Sequence, residues 1–135
     1  MPRAMAQSIT VLRVRYADTD RMGFAYYANY LVWFEVARAD WLRRLGWTYR
    51  EMEESGLLLP VIEAHCEYRQ PSRYDDELEV RTEGRLISPV RMQFDYEVVR
   101  RTDTIVAAVG HTVHAAVDPS GRPCRLPDRV RQVFE

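Results

Sequence analysis

Tyr16-Ala17-Asp18-Thr19-Asp20-Arg21-Met22-Gly23-Phe24-Ala25-Tyr26-Tyr27-Ala28-Asn29-Tyr30 sets two carboxylates and a glycine just ahead of an aromatic-rich helix. The N–H groups that open a helix lack intrahelical partners and sit at the positive end of its dipole. They can polarise an acyl oxygen. An aspartate held beside them can attack the carbonyl so polarised, or activate water against it. Asp18 and Asp20 equally fit a helix cap, an Asx turn or a solvated charge pair. No ordered set of oxygen ligands accompanies them, so no metal site is expected.

Working outward, Ile9 to Arg15 alternates around Ile9, Val11 and Val14 and reads as a first strand. From about Ala25 to Leu45 the apolar residues fall at 27, 30, 31, 34, 41, 42 and 45, the three-four spacing of a helix with one buried face. Gly46 is a suitable stop. Thr48 with Glu51 three residues on is a capping-box pattern, and it predicts a second, short helix ending at Gly56. Beyond it everything is strand-like: Leu57 to Tyr68, Glu77 to Ile87, Arg91 to Arg100 and Thr104 to Val117. Turns at 71–76, Ser88-Pro89 and 101–103 separate these runs. Pro127 to Phe134 reads as a terminal helix with proline in its first turn. Successive strands with short turns imply an antiparallel sheet, and the long helix must cover one face of it. The fold class is therefore α+β, with residues 1–135 read as one domain.

The chain has 135 residues, of which 47% are hydrophobic, enough for a real core. A formal net charge of -1 gives no bulk attraction to nucleic acid. No apolar run approaches a membrane span, and Met1 to Ser8 lack the apolar stretch of a signal peptide. With only Cys66 and Cys124, widely spaced, reduced thiols in a cytoplasm are expected.

Arg38 falls inside the apolar stripe marked by Tyr27, Phe34, Leu42 and Leu45, and a buried guanidinium must be paired. Glu35, three residues earlier, is the expected partner in a core ion pair. His111 and His114 point to opposite faces of a regular strand and cannot chelate one metal. With His65 they read as structural. No nucleophile-elbow serine and no phosphate-binding glycine loop is present.

The run Asp18-Thr19-Asp20, Gly23, Tyr26, Asn29-Tyr30 and Phe34-Glu35-x-x-Arg38 resembles the 4-hydroxybenzoyl-CoA thioesterase family of hotdog-fold acyl-CoA thioesterases. Tyr68-x-x-Pro71-x-x-Tyr74-Asp75-Asp76-x-Leu78 and the last long strand with Gly110 extend the resemblance over about residues 9 to 130. It implies a hotdog fold, an antiparallel sheet wrapped around one long central helix. It also implies pairing of subunits edge to edge as a homodimer or homotetramer, with active sites at the interface. The second aspartate of the motif, here Asp20, is the implied catalytic group. A backbone N–H near Tyr27 is implied to hold the thioester carbonyl, where many members carry histidine. Gly23, Tyr26 and Arg91 are the implied substrate-binding positions, Arg91 toward the nucleotide. The substrate is an acyl-CoA or acyl-carrier-protein thioester, and hydrolysis needs no metal and no cofactor. Two competing functions share the fold. A hotdog hydratase or dehydratase wants a histidine near the helix start, and none is there. A non-catalytic acyl-CoA-binding protein would have no use for Asp20.

Overall fold

The computed structural model describes residues 7–134. The chain runs β1 (Gln7–Arg13), a 3-10 turn at Tyr16–Asp18, α1 (Asn29–Arg44), α2 (Tyr49–Glu54), β2 (Val61–Tyr68), β3 (Glu77–Ser88), β4 (Arg91–Arg100), β5 (Val106–Ala115) and α3 (Asp128–Gln132). The five strands form one antiparallel sheet in the order β1-β3-β4-β5-β2, so β1 and β2 are its edges. The expected α+β arrangement, one long helix on one antiparallel sheet, is what the chain builds.

Period-two alternation in β3 and β4 decides which face meets α1. Leu78, Val80 and Thr82 of β3 and Met92, Phe94, Tyr96 and Val98 of β4 are all buried. From α1, Tyr30, Trp33, Phe34, Ala37, Trp41 and Leu42 are buried. Phe34 stacks on Tyr96 at 4.2 Å between ring centroids, and Trp41 meets Phe94 edge-on at 5.1 Å. Two glycines let these rings approach the sheet. A Cβ on Gly84 would lie 2.6 Å from the Trp41 indole. One on Gly110 would lie 2.3 Å from the His65 carbonyl oxygen and 2.8 Å from the Phe34 ring. Glycine at these positions serves close packing rather than a turn.

The start of α1 departs from the expected position. Helical spacing from Ala25 is interrupted because Ala25 N–H donates to the Ser72 carbonyl at 2.7 Å and Tyr26 N–H to the Asp18 carbonyl at 2.8 Å. Those bonds hold 25–28 in a non-helical segment, and α1 begins only at Asn29. Gly46, at φ +82, ends it as expected.

The faces of β1 also differ from a simple apolar-inside reading. Ile9 and Val11 are about half exposed, while Ser8 and Thr10 are buried. Thr10 Oγ1 donates to Asp40 Oδ2 at 2.8 Å, and Arg44 donates to the Ile9 carbonyl at 3.0 Å. Polar partners on the last turns of α1 thus satisfy the inward hydroxyl.

The expected Glu35–Arg38 core pair is not formed. Glu35 is exposed, Arg38 is half-buried, and no carboxylate among the described residues makes an ion pair with the guanidinium. Its polar neighbours are the phenols of Tyr96 and Tyr49. Helix phase put Arg38 near the core correctly, but its neighbours come from α2 and β4, distant in sequence.

The expected cap of α2 forms, but only through the N-cap half of the capping box: Glu51 Oε1 accepts from the Thr48 hydroxyl at 3.3 Å instead of from the Thr48 backbone N–H. Thr48 Oγ1 accepts from Glu51 N–H at 3.1 Å. Thr48→Ala is expected to cost about 1 kcal/mol of stability, typical of a lost N-cap. Chemical denaturation reads this as a lower midpoint at unchanged slope.

Candidate active site

Asp18 and Asp20 have different surroundings. Asp18 is buried, and its carboxylate accepts from Arg15 N–H at 2.9 Å and from the Arg15 guanidinium at 2.8 Å. The side-chain bond from Arg15 holds its carboxyl below the ordinary value, against the opposing effect of burial. Its backbone carbonyl accepts from Tyr26 N–H and from Asn29 Nδ2, each at 2.8 Å. Asp18 is therefore a fastener between the 3-10 turn and the start of α1.

Asp20 is held differently. Its Oδ1 accepts from Met22 N–H at 2.9 Å and from Phe24 N–H at 3.3 Å, an Asx-type turn. Gly23 N–H donates to the Asp20 carbonyl at 3.0 Å with Gly23 at φ +81, a conformation glycine adopts without strain. Oδ2 accepts no hydrogen bond among the described residues. One carboxylate oxygen is anchored and the other is available.

The backbone opposite is equally specific. Asn29 N–H donates to the Tyr26 carbonyl and Tyr30 N–H to the Tyr27 carbonyl. The N–H groups of Tyr27 and Ala28 donate to nothing among the described residues. They stand at the positive end of α1. Tyr68 Oη donates to the Tyr27 carbonyl at 2.9 Å, and Tyr30 Oη donates to Ser72 Oγ at 3.0 Å. The segment is thus tied to the end of β2 and to the loop after it.

Asp20 and Tyr27 line one cavity of about 300 Å³, with Met22, Phe24, Tyr68 and Arg69 on its walls. Of the other positions named from sequence, Tyr26 packs beside Tyr27 at 4.6 Å between ring centroids. Gly23 opens on the other side of Asp20, toward Tyr16 and Tyr74. Arg91 is not gathered with them. It pairs with Ala115 at one end of β4 and β5, whereas Tyr68 pairs with Ala108 near the other. Tyr68 and Arg69 take part in the cavity without having been singled out for it. The match through Tyr68 and Pro71 was the available signal. Among the described residues no group of three or more histidine, cysteine or acidic side chains is placed to hold a metal ion.

Residues 14–134 match the thioesterase-like superfamily. The chain belongs to that superfamily. The acyl-CoA thioesterase YbgC of Haemophilus influenzae is 33% identical over 126 residues, which cover 91% of this chain and 90% of that protein. The 1,4-dihydroxy-2-naphthoyl-CoA hydrolase of a Synechococcus species is 30% identical over 129 residues, covering 90% and 85%. Among solved structures, the DHNA-CoA thioesterase from Staphylococcus aureus is 35% identical with a TM-score of 0.84, covering 89% of this chain and 80% of that one. Superfamily membership and the observed architecture agree on a hotdog fold and place the chain among thioester hydrolases. No helix among the described residues is long and apolar enough to cross a membrane.

Proposed function

We propose that the chain hydrolyses an acyl-CoA or acyl-carrier-protein thioester at the cavity between Asp20 and Tyr27. One observation carries the reading: Asp20, whose Oδ2 accepts no bond among the described residues, and Tyr27, whose helix-start N–H is unpartnered among them, line the same cavity. The Tyr27 N–H donates to the thioester carbonyl oxygen and stabilises the negative charge that grows there. Asp20 Oδ2 either attacks the carbonyl carbon or takes a proton from the attacking water, while the Met22 and Phe24 N–H groups keep the carboxylate aimed. The C–S bond breaks and the carrier leaves as a thiolate. In the water route Asp20 protonates it; in the direct-attack route solvent does, and water then cleaves the acyl–Asp20 anhydride to the free acid. No step needs a cofactor. Arg69 on the cavity wall is a basic side chain suited to the carrier's phosphates. The test is thiol release from a panel of short, long and aromatic acyl-CoAs. Aromatic substrates belong in it because the Synechococcus relative is named for a dihydroxynaphthoyl ester. No release from any member, with retained CoA-ester binding, would favour the non-catalytic reading.

The working unit in this proposal is at least a dimer. β2 is an edge strand with seven of its eight residues exposed, Val61, Ile62 and Tyr68 among them. An unpaired edge carrying apolar side chains asks for cover, and a second β2 in antiparallel register supplies it by twofold symmetry. Sedimentation at micromolar concentration should show a species of at least twice 15.9 kDa. A single boundary at the monomer mass would remove the dimer from the mechanism.

A further inference from the structure

Tyr68 closes β2 and pairs with Ala108 of β5, which is fully buried, so its ring stands on the sheet face turned toward α1. Its backbone is anchored to the sheet. Just past the strand, the N–H groups of Arg69 and Gln70 both donate to the Ala107 carbonyl, at 2.8 and 3.1 Å. The ring meets Tyr30 edge-on at 5.1 Å between centroids and Tyr27 edge-on at 6.3 Å. Its Oη donates to the Tyr27 carbonyl at 2.9 Å. A carbonyl can only accept, so the phenol is the donor and is protonated. This one bond joins a strand of the sheet to the turn that leads into α1.

Tyr27 is otherwise lightly held. Its N–H donates to nothing among the described residues, and the other donor to its carbonyl is Tyr30 N–H at 3.3 Å, a long bond. On its N-terminal side the preceding peptide is fixed by Asn29 N–H, which donates to the Tyr26 carbonyl at 2.9 Å. On its C-terminal side the short bond is the one from Tyr68. The two together fix the peptides that flank Tyr27, and with them the direction of its N–H. An N–H stabilises a growing oxyanion best when it is aimed before the charge appears. Tyr68 also lines the cavity that holds Asp20 and Tyr27, but its hydroxyl is directed at the Tyr27 carbonyl. It therefore acts through Tyr27 and not on the reacting atoms.

We propose that Tyr68 is a positioning residue of the thioester site: its hydroxyl holds the Tyr27 backbone so that the Tyr27 N–H meets the oxygen of a bound acyl group. The inference rests on the thioesterase reading for its reaction, but the hold on that N–H is measurable without turnover.

Tyr68→Phe keeps the ring and removes only the hydroxyl. In steady-state hydrolysis it should lower kcat about ten- to a hundredfold while KM stays within about twofold, the pattern of a lost transition-state interaction. Tyr68→Leu, which also removes the ring, should lose kcat to a similar extent, so that phenylalanine gives no rescue. The second measurement uses two CoA ligands of equal length. One is an acyl-dethia-CoA ketone, with a methylene in place of sulfur. The other is an S-alkyl-CoA thioether, which lacks the carbonyl oxygen. Their length follows the substrate hydrolysed fastest, or octanoyl-CoA where none is hydrolysed. The wild-type protein should bind the ketone about tenfold more tightly, the scale of one well-aimed hydrogen bond. In Tyr68→Phe that preference should fall close to one with the thioether affinity unchanged, whereas a bond that merely stabilises the fold would move both ligands together. A ketone preference abolished by Tyr68→Phe, with no thiol release from the wild-type protein, would retain the positioning role and overturn the thioesterase reading. Thiol release at the wild-type kcat in Tyr68→Phe, with the ketone preference intact, would overturn the positioning role and leave the thioesterase reading in place. A phenylalanine variant that matches the wild-type protein while the leucine variant is impaired would assign the role to the ring and overturn it equally. Either variant decides the ketone preference if the other fails to fold.

Discussion

Asp20→Asn is expected to lower thiol release by about 10²–10⁴-fold, the usual loss when a positioned acid–base group is removed. Structure explains why the loss should be confined to chemistry. The Asp20 Oδ1 atom accepts from Met22 and Phe24 N–H groups, and an asparagine Oδ1 can do the same. The turn through Gly23 therefore survives, and the neighbouring Tyr27 N–H stays in place. What disappears is the anionic oxygen, Oδ2, that accepts no hydrogen bond among the described residues. Binding of a substrate ester, read by calorimetry, should change little. Asp18→Asn is the contrasting variant. Its carboxylate is buried against Arg15 and makes the fastening bonds of the 3-10 turn. It should lower the melting temperature while activity per folded molecule falls much less. The assignment fails if Asp20→Asn keeps parental turnover on a substrate the parent clearly hydrolyses. It fails equally if the two variants trade places.

The contrast between these two aspartates shows what the sequence carries and what it withholds. Their presence before a helix is legible from residue order. Their division of labour is not, since it depends on Arg15 turning back onto one and on two N–H groups holding the other. The same boundary runs through the fold. Thr48 and Glu51 specify a helix cap locally, and the alternation in β3 and β4 specifies faces locally, so both are readable. The start of α1 is set by Ser72, more than forty residues downstream, accepting from Ala25. Helical periodicity contains no trace of that bond. Thr10 faces inward because Asp40 receives its hydroxyl, so an apolar-inside rule misassigns β1. Arg38 is near the core as its phase requires, yet its neighbours Tyr49 and Tyr96 come from separate elements. Tyr68 reaches the Tyr27 carbonyl only because β2 lies beside α1. For α1, β1, Arg38 and Tyr68 the missing information is a hydrogen-bonding partner distant in sequence; for the two aspartates it is the path of a local turn.

Acidification from pH 7.5 to 5 is expected to destabilise the fold, and His114 is the reason. It is almost fully buried. Its Nδ1 contacts the Leu59 carbonyl at 3.0 Å, which can only accept, so Nδ1 carries the proton. Nε2 then accepts from Thr112 Oγ1 at 2.9 Å, and Tyr96 must donate to Thr112 at 2.7 Å. This chain is satisfied with a neutral imidazole, and a second proton would reverse it. Burial lowers the His114 pKa to about 4 from 6.5, with the Arg38 charge adding to it and the Leu59 bond opposing. The unfolded chain thus binds a proton near pH 6.5 that the native state refuses until about pH 4. Stability is full above the unfolded value and falls as pH drops between them. Over the interval from 6.5 to 5 this amounts to about 2 kcal/mol, several degrees in melting temperature for a chain of this size. Thermal denaturation at fixed protein concentration measures it, since association would otherwise move the midpoint. His114→Gln should be less stable at pH 7.5 but show a much flatter profile down to pH 5. A variant whose midpoint falls as steeply as the parent's would assign the acid sensitivity to another group.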